Sequence, residues 1–290
     1  MKVAVTGGTG LVGRFIVNGL LSDGHDVTVM TRTPPQPGFF LREVAHQPYD
    51  LDAGPPRLAG LDAVVHAAFD HLPGRYRGGE GDDPAGFLRR NLDGSKHLFQ
   101  AAAEAGARVI FISTRAVYGP QQGVLTEDME CRPDTLYGQA KLAAEQALLA
   151  SGQPAMILRA TGVYGAPGPG QRHKWADLFD DFAAGRPIAP RVGTEVHGDG
   201  LALAVSRGLD GVEGVYNVSD ILLDRRDLLE EWGAVTGING HLPDRADASR
   251  FNKMSTARLE SLGYWPGGVQ WLRASLRDMA ELDGILPPRA

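Results

Sequence analysis

Short β-branched runs of about five residues alternate through the first half of the chain with longer stretches whose apolar positions recur every three or four residues. The runs predict strands at 2–6, 26–30, 62–67, 108–112 and 155–159, and the periodic stretches predict helices near 11–22, 91–105 and 135–150. That alternation predicts an α/β, doubly wound parallel sheet with helices on both faces. Asp70–Pro84, rich in glycine and charge, reads as a loop beyond a strand's carboxyl end, equally a solvated excursion or a lid over a ligand. After Gly165 the rhythm breaks. Pro167–Gly170 forms a linker into a helical stretch at 174–184. Asp227 and Glu230 have the spacing of a capping box for a helix stopped by Gly237, and Ser255 stands where it caps another stopped by Gly263. These late pieces predict a small, mostly helical second domain.

Composition narrows the partners rather than the fold. The 290 residues are enough for one large domain or one with a small companion. A net charge of −6 without a long basic run argues against nucleic acid as a partner. Cys131 is the single cysteine, so no internal disulfide forms, which fits a reducing, cytoplasmic setting. Met1 leads straight into a strand with no signal peptide, and no apolar run approaches a membrane span. The eight histidines show no ligand spacing, so no metal site is expected. His66, at the end of an apolar strand, reads as a packing residue. Trp232, Trp265 and Trp271 fall on predicted helices or their ends and read as core.

Two motifs carry chemistry. Lys2–Thr6 runs directly into Gly7, Gly10 and Gly13, and then into an amphipathic helix. Strand, glycine turn and helix together are what a dinucleotide fingerprint requires, since the turn lets backbone approach a pyrophosphate and the helix N-terminus offers free amides. Further on, Tyr137 and Lys141 lie four residues apart, one helical turn, on one face. A phenol titrates near about pH 10 unperturbed, and an adjacent ammonium favours the phenolate.

Thr6-Gly7-x-x-Gly10-x-x-Gly13 joined to Tyr137-x-x-x-Lys141 resembles the extended short-chain dehydrogenase/reductases, the NAD-dependent epimerase/dehydratase family. Asp62–Ala68, Asn91–Ser95, Phe111–Gly119, Leu158–Gly165 and Val215–Ser219 resemble further segments of the family in the right order, over about residues 1–220. The resemblance implies a Rossmann-type dinucleotide-binding domain at 1–165 and 195–219, and a substrate domain at 166–194 and 220–290. It implies cofactor contacts from Gly7, Gly10, Leu11, Val12, Gly13, Thr31, Arg32, Asp50, Leu51, Ala67, Ala68, Tyr137 and Lys141. It implies catalysis by Thr114, Tyr137 and Lys141, with Asn91 sustaining a proton relay or capping its helix, and Ser113 beside the working hydroxyl. Thr114 would hold the substrate oxygen against the phenol while Tyr137 moves the proton. A homodimer through helices around 95–105 and 136–149 and a small-molecule substrate are also implied.

Three departures refine the expected reaction. The second strand ends in Thr31-Arg32 rather than an acid, which favours NADP(H) over NAD(H), because a guanidinium can pair with a 2′-phosphate. Arg14 is either a second cation there or a solvated first-turn residue. Arg115 and Ala116 stand where the family's dehydratases carry an Asp–Glu pair, so dehydration is not expected. Gly193 stands four residues before His197, where nucleotide-sugar enzymes carry an Arg that grips diphosphate; Arg172, Lys174 and Arg191 are the available substitutes. The expected activity is hydride transfer at a secondary alcohol or ketone, epimerase type, with an NADPH-linked reductase on a smaller substrate as the alternative. A dinucleotide sensor without chemistry is the remote alternative.

Overall fold

The computed structural model describes residues 1–72, 78–249 and 251–288. The chain runs β1 (Lys2–Thr6), α1 (Leu11–Ser22), β2 (Asp26–Thr31), β3 (Ala45–Pro48) and β4 (Ala63–His66), then α2 (Pro84–Leu88), a widened helical turn at Arg89–Asp93, and α3 (Gly94–Ala105). It continues through β5 (Arg108–Thr114), a single turn at Arg115–Val117, α4 (Leu136–Ala150), β6 (Ala155–Ala160), β7 (Gly162–Tyr164), α5 (Ala176–Ala183), β8 (Val192–His197) and α6 (Gly198–Leu209). The last elements are β9 (Gly214–Val218), β10 (Ile221–Asp224), α7 (Arg225–Thr236), α8 (Ala257–Glu260) and α9 (Gly268–Leu282).

Seven strands form one parallel sheet in the order β3-β2-β1-β4-β5-β6-β9. Alternate strand residues feed two cores. Val3, Val5, Val65 and Ile112 meet Ile16, Val17 and Leu20 of α1 and Leu201 and Val205 of α6. Ala4, Val64, Phe111 and Ile157 meet Leu98 and Phe99 of α3 and Ala144 and Leu148 of α4. Burial on both faces is why these strands read as continuous apolar runs rather than alternating ones.

The later chain contains β7, β8 and β10 as a second, three-stranded sheet beside its helices. Tyr164, Trp175, Phe179, Leu229, Trp232 and Leu276 form its core. Helix α7 is capped by Asp224, whose carboxylate accepts from the Arg226 amide at 2.8 Å, and not by Asp227. Glu230 pairs with Arg226 instead. The stop at Gly237 holds, with φ 76°. Near Ser255, α8 follows Thr256 without a side-chain cap. Trp232 is core as expected, whereas Trp265 is 73% exposed in the loop before α9. Of the Asp70–Pro84 loop, 73–77 lies outside the described residues, and the helical run begins at Pro84 behind an Asp83 cap. No helix among the described residues is long and apolar enough to cross a membrane, and no group of metal-ligating side chains occurs among them.

Candidate active site

The glycine turn is built for backbone approach. Gly7 takes φ 68°, and a Cβ there would sit 2.8 Å from the Ala68 Cα. Gly10 opens α1 with no side-chain cap, so the first-turn amides are left for a ligand. A Cβ on Gly13 would strike the Gly7 carbonyl, so only glycine lets the helix lie this close to the strand. These residues, with Leu11 and Val12, fit a dinucleotide pyrophosphate. Thr31 and Arg32 leave the end of β2, Asp50 and Leu51 follow β3, and Ala67 and Ala68 follow β4. The eleven positions therefore line one edge, the carboxyl ends of neighbouring strands, where this architecture binds ligands. Arg32 is exposed. Arg14 does not simply face water: it donates to the Ala166 carbonyl and lies 4.5 Å over the Phe15 ring. Gln171 reaches from the same segment to the Thr9 carbonyl at 2.9 Å, so 166–171 roofs the glycine turn.

Beneath the turn runs a buried hydrogen-bond chain. Ser95 Oγ donates to the Asn91 carbonyl, so it can only accept from His66 Nε2 at 2.9 Å. His66 Nδ1 is then the acceptor for the Thr6 hydroxyl at 2.7 Å, and Thr6 Oγ1 accepts the Ala68 amide at 3.1 Å. The imidazole is thus neutral and fully used. Burial, and then the charge of Lys141, push its pKa down to about 3.

The residues expected to be catalytic converge from β5 and α4. Thr114 ends β5, and its hydroxyl accepts the Ala116 amide at 3.2 Å. The turn it opens touches the first turn of α4: a Cβ on Gly138 would lie 2.6 Å from the Ala116 carbonyl. Lys141 crosses to β5 and donates to the Ile112 carbonyl, two residues before Thr114, at 2.7 Å. Its Nζ sits 4.6 Å over the Phe69 ring and 4.6 Å over Phe111. Phe69 meets the Tyr137 ring edge-on at 5.0 Å. Burial, opposed by the charge of Glu145, lowers the Lys141 pKa to about 7.

Asn91 does not cap a helix, because the helical run starts seven residues earlier, at Pro84. It lies in the widened turn, and its amide clamps Asp70: Oδ1 accepts the Asp70 amide at 2.7 Å, and Nδ2 donates to the Asp70 carbonyl at 2.8 Å. That fixes the segment carrying Phe69. Ser113 points away from Thr114 and donates to Glu145, which also binds Arg159 at 2.7 Å.

Phe69, Glu145, Arg159 and Gln171 were not singled out from the sequence. Glu145 repeats the four-residue spacing from Tyr137 through Lys141 and was legible on that ground. Phe69 carries no such signal. On the substrate side, Arg172 is occupied by Asp177 and Asp180, and Lys174 by Glu195, whose carboxylate fills the space a Cβ on Gly162 would take. Nothing lies within 4 Å of the Cβ position at Gly193. Arg115 stacks 4.8 Å over Phe251 and donates to the Asn252 carbonyl.

A doubly wound sheet with a glycine turn at its first strand end and a Tyr–Lys helix beside its fifth strand defines a Rossmann-type, dinucleotide-binding class. The model of the NAD-dependent epimerase/dehydratase family matches residues 3–203, and the chain belongs to that family. It is 32% identical over 231 residues to a ceramide reductase of Caulobacter vibrioides, covering 78% of this chain and 65% of that protein, just under two thirds of its length. It is 28% identical over 236 residues to a UDP-glucose 4-epimerase of Lactobacillus helveticus, covering 76% of this chain and 67% of that one. The UDP-glucose 4-epimerase of Thermus thermophilus, solved in complex with NAD, matches with a TM-score of 0.78 and 25% identity over 96% of this chain and 99% of its own. A UDP-N-acetylglucosamine 4-epimerase of Bacillus cereus shares the fold, with a TM-score of 0.77 at 20% identity over 97% and 99%.

Proposed function

We propose that this protein is an NAD(P)-dependent enzyme that transfers hydride at a secondary alcohol or ketone, with Tyr137 moving the proton, Thr114 holding the substrate oxygen and Lys141 keeping the phenol acidic. The observation that carries it is the pairing of Lys141 with the β5 main chain just before Thr114, on the same helical face as Tyr137. When bound, the nicotinamide dinucleotide supplies the hydride acceptor or donor. Gly7, Gly10, Leu11, Val12, Gly13, Thr31, Asp50, Leu51, Ala67 and Ala68 would hold it, and Arg32 is the group that favours NADP(H). Residues 1–165 with 195–219 form the cofactor part. Residues 166–194 with 220–290 form the substrate part, a division that the separate aromatic core supports in outline, although β7, Tyr164 of that core and the second half of β8 fall in the ranges given to the cofactor part. Asn91 acts in this reading by holding the Asp70 segment against the site. A homodimer through α3 and α4 is part of the same reading, and light scattering after size exclusion checks it.

Sugar epimerisation is supported by the epimerase relatives. A specific observation favours a second reading, net reduction of a smaller substrate without diphosphate: the empty space at Gly193, with Arg172 and Lys174 already paired and exposed Arg191 the one remaining substitute. Cofactor content after purification separates the two, since an epimerase regenerates its cofactor each turn. Tightly retained NAD supports epimerisation. Cofactor-free protein that oxidises NADPH with a ketone supports reduction, and inactivity toward both nucleotide sugars and ketones, with cofactor bound, refutes hydride transfer.

A further inference from the structure

Tyr137, Lys141 and Glu145 occupy successive turns of one face of α4. Glu145 is 1% exposed and is gripped from three sides. Ser113 donates to one carboxylate oxygen, Arg159 Nε reaches both at 3.2 and 3.1 Å, and Arg159 Nη2 reaches one at 2.7 Å. Arg159 is itself fixed, 4.9 Å over the Tyr118 ring and bonded to the Glu127 carbonyl at 3.4 Å. The carboxylate therefore cannot swing. Lys141 is 4% exposed and, among the described residues, touches a carbonyl and two ring faces but no carboxylate.

The groups around the ammonium can be followed element by element. From α4 come Tyr137 and Glu145, and from β4 comes His66, which its own hydrogen bonds keep neutral. From β5 come Phe111 and the Ile112 carbonyl, from the loop after β4 comes Phe69, and Arg159 of β6 stands behind Glu145. Glu145 is the one negative charge in that set.

We propose that Glu145 is a positioning residue of the catalytic relay: fixed by Ser113 and Arg159, it supplies the counter-charge that keeps Lys141 an ammonium beneath Tyr137. The assignment rests on the hydride-transfer reading for its purpose, not for its geometry. Burial alone favours the neutral amine, and an amine would no longer favour the phenolate. A carboxylate one turn away opposes that loss by about one to two pH units at an effective dielectric near 20.

The experiment follows the lysine directly in the cofactor-free protein. The chain has five lysines, at 2, 96, 141, 174 and 253, so 13C-labelled lysine gives few signals, and a Lys141→Met spectrum assigns the one of interest. Glu145→Gln is expected to move the Lys141 titration down by about one to two pH units, and the alkaline limb of kcat against pH with it. Glu145→Asp keeps the charge and restores both. Because Glu145→Gln orphans Arg159 and can cost folding, the double variant Glu145→Gln/Arg159→Met is the second test. It shifts the titration in the same direction by a smaller amount, since removing the Arg159 cation offsets part of the loss of the carboxylate that acts on Lys141. An unchanged Lys141 titration in the folded double variant, or an equal fall in kcat at every pH, overturns the proposal. A shifted titration in a protein inactive on every alcohol and ketone supports the role of Glu145 while refuting hydride transfer.

Discussion

Lowering the pH tests the buried His66 chain quantitatively. The folded imidazole has its pKa pushed down to about 3 by burial and by Lys141, whereas an unfolded histidine titrates at about 6.5. Below about pH 6.5 the unfolded state therefore binds a proton that the folded state refuses, so stability falls as pH falls. The stability is fully present above the unfolded value and declines by about 1.4 kcal/mol per pH unit down to the folded value. Between pH 7.5 and 5.0 this single residue costs about 2 kcal/mol. His66→Gln removes the titration while leaving an amide that can donate toward Ser95 or accept from Thr6. Any loss of packing lowers its stability equally at all pH values, so the readout is the slope. Urea unfolding of both proteins at several pH values between 7.5 and 5.0 should give a wild-type curve that falls more steeply, by about 2 kcal/mol over the range. His173 and His197 also have their pKa values lowered by burial, but they are common to both proteins and cancel in the difference. Parallel curves would refute the neutral, hydrogen-bonded imidazole.

Tyr137→Phe should lower kcat by about a hundredfold to ten-thousandfold, because only the transferable proton is lost, and fluorescence titration should find nicotinamide dinucleotide binding nearly intact. Arg32→Ala should weaken NADPH about tenfold to a hundredfold and leave NADH almost unchanged; equal losses would mean that this exposed guanidinium does not read the 2′-phosphate. Incubation with nucleotide hexoses should yield no 4-keto-6-deoxy product, since Arg115 is tied to Asn252 and the nearest acids in sequence are engaged, Glu127 with the Asn217 amide and Asp128 with Arg258; mass detection of that product would sink the reasoning.

What the sequence made legible follows from where local and tertiary signals agree. The strands of the large sheet lie between two cores, so their side chains are apolar on both faces and announce themselves. Strands β3 and β9 did not, because they are the two edges of the sheet: Ala45-His-Gln-Pro48 is half exposed and ends in proline, and Gly214–Val218 begins with three partly exposed residues. Strands β7, β8 and β10 were hidden by length: they are three to six residues long, and the longest, β8, breaks its apolar pattern with glycine, threonine and glutamate. The capping of α7 was misplaced by three residues because Asp224 and Asp227 are both competent, and only the chain path from β10 selects the first. Among site residues, the glycines and the Tyr–Lys pair were readable because their spacing is their mechanism. Phe69 was not, since its importance comes from Asn91 clamping the main chain of the adjoining Asp70 in the loop after β4.

The hydrogen-bond chains beneath the site explain why Lys141 and not some other group is the one that can carry a charge there. His66 is satisfied as a neutral ring by Thr6 and Ser95, and Arg159 holds Glu145 in place one helical turn from Lys141. Lys141 is 4% exposed and has a carbonyl and two aromatic faces for company. A fold selected for stability alone would place an apolar side chain there, because a buried cation without a direct salt bridge is among the most expensive groups a core can hold. Ring faces and a carbonyl offset part of that cost without forming a salt bridge. A direct ion pair would have stabilised the protein more and bound the lysine to one partner. The ammonium instead stays one helical turn below a phenol, available to it. That is the arrangement expected of a group whose charge is used rather than merely accommodated.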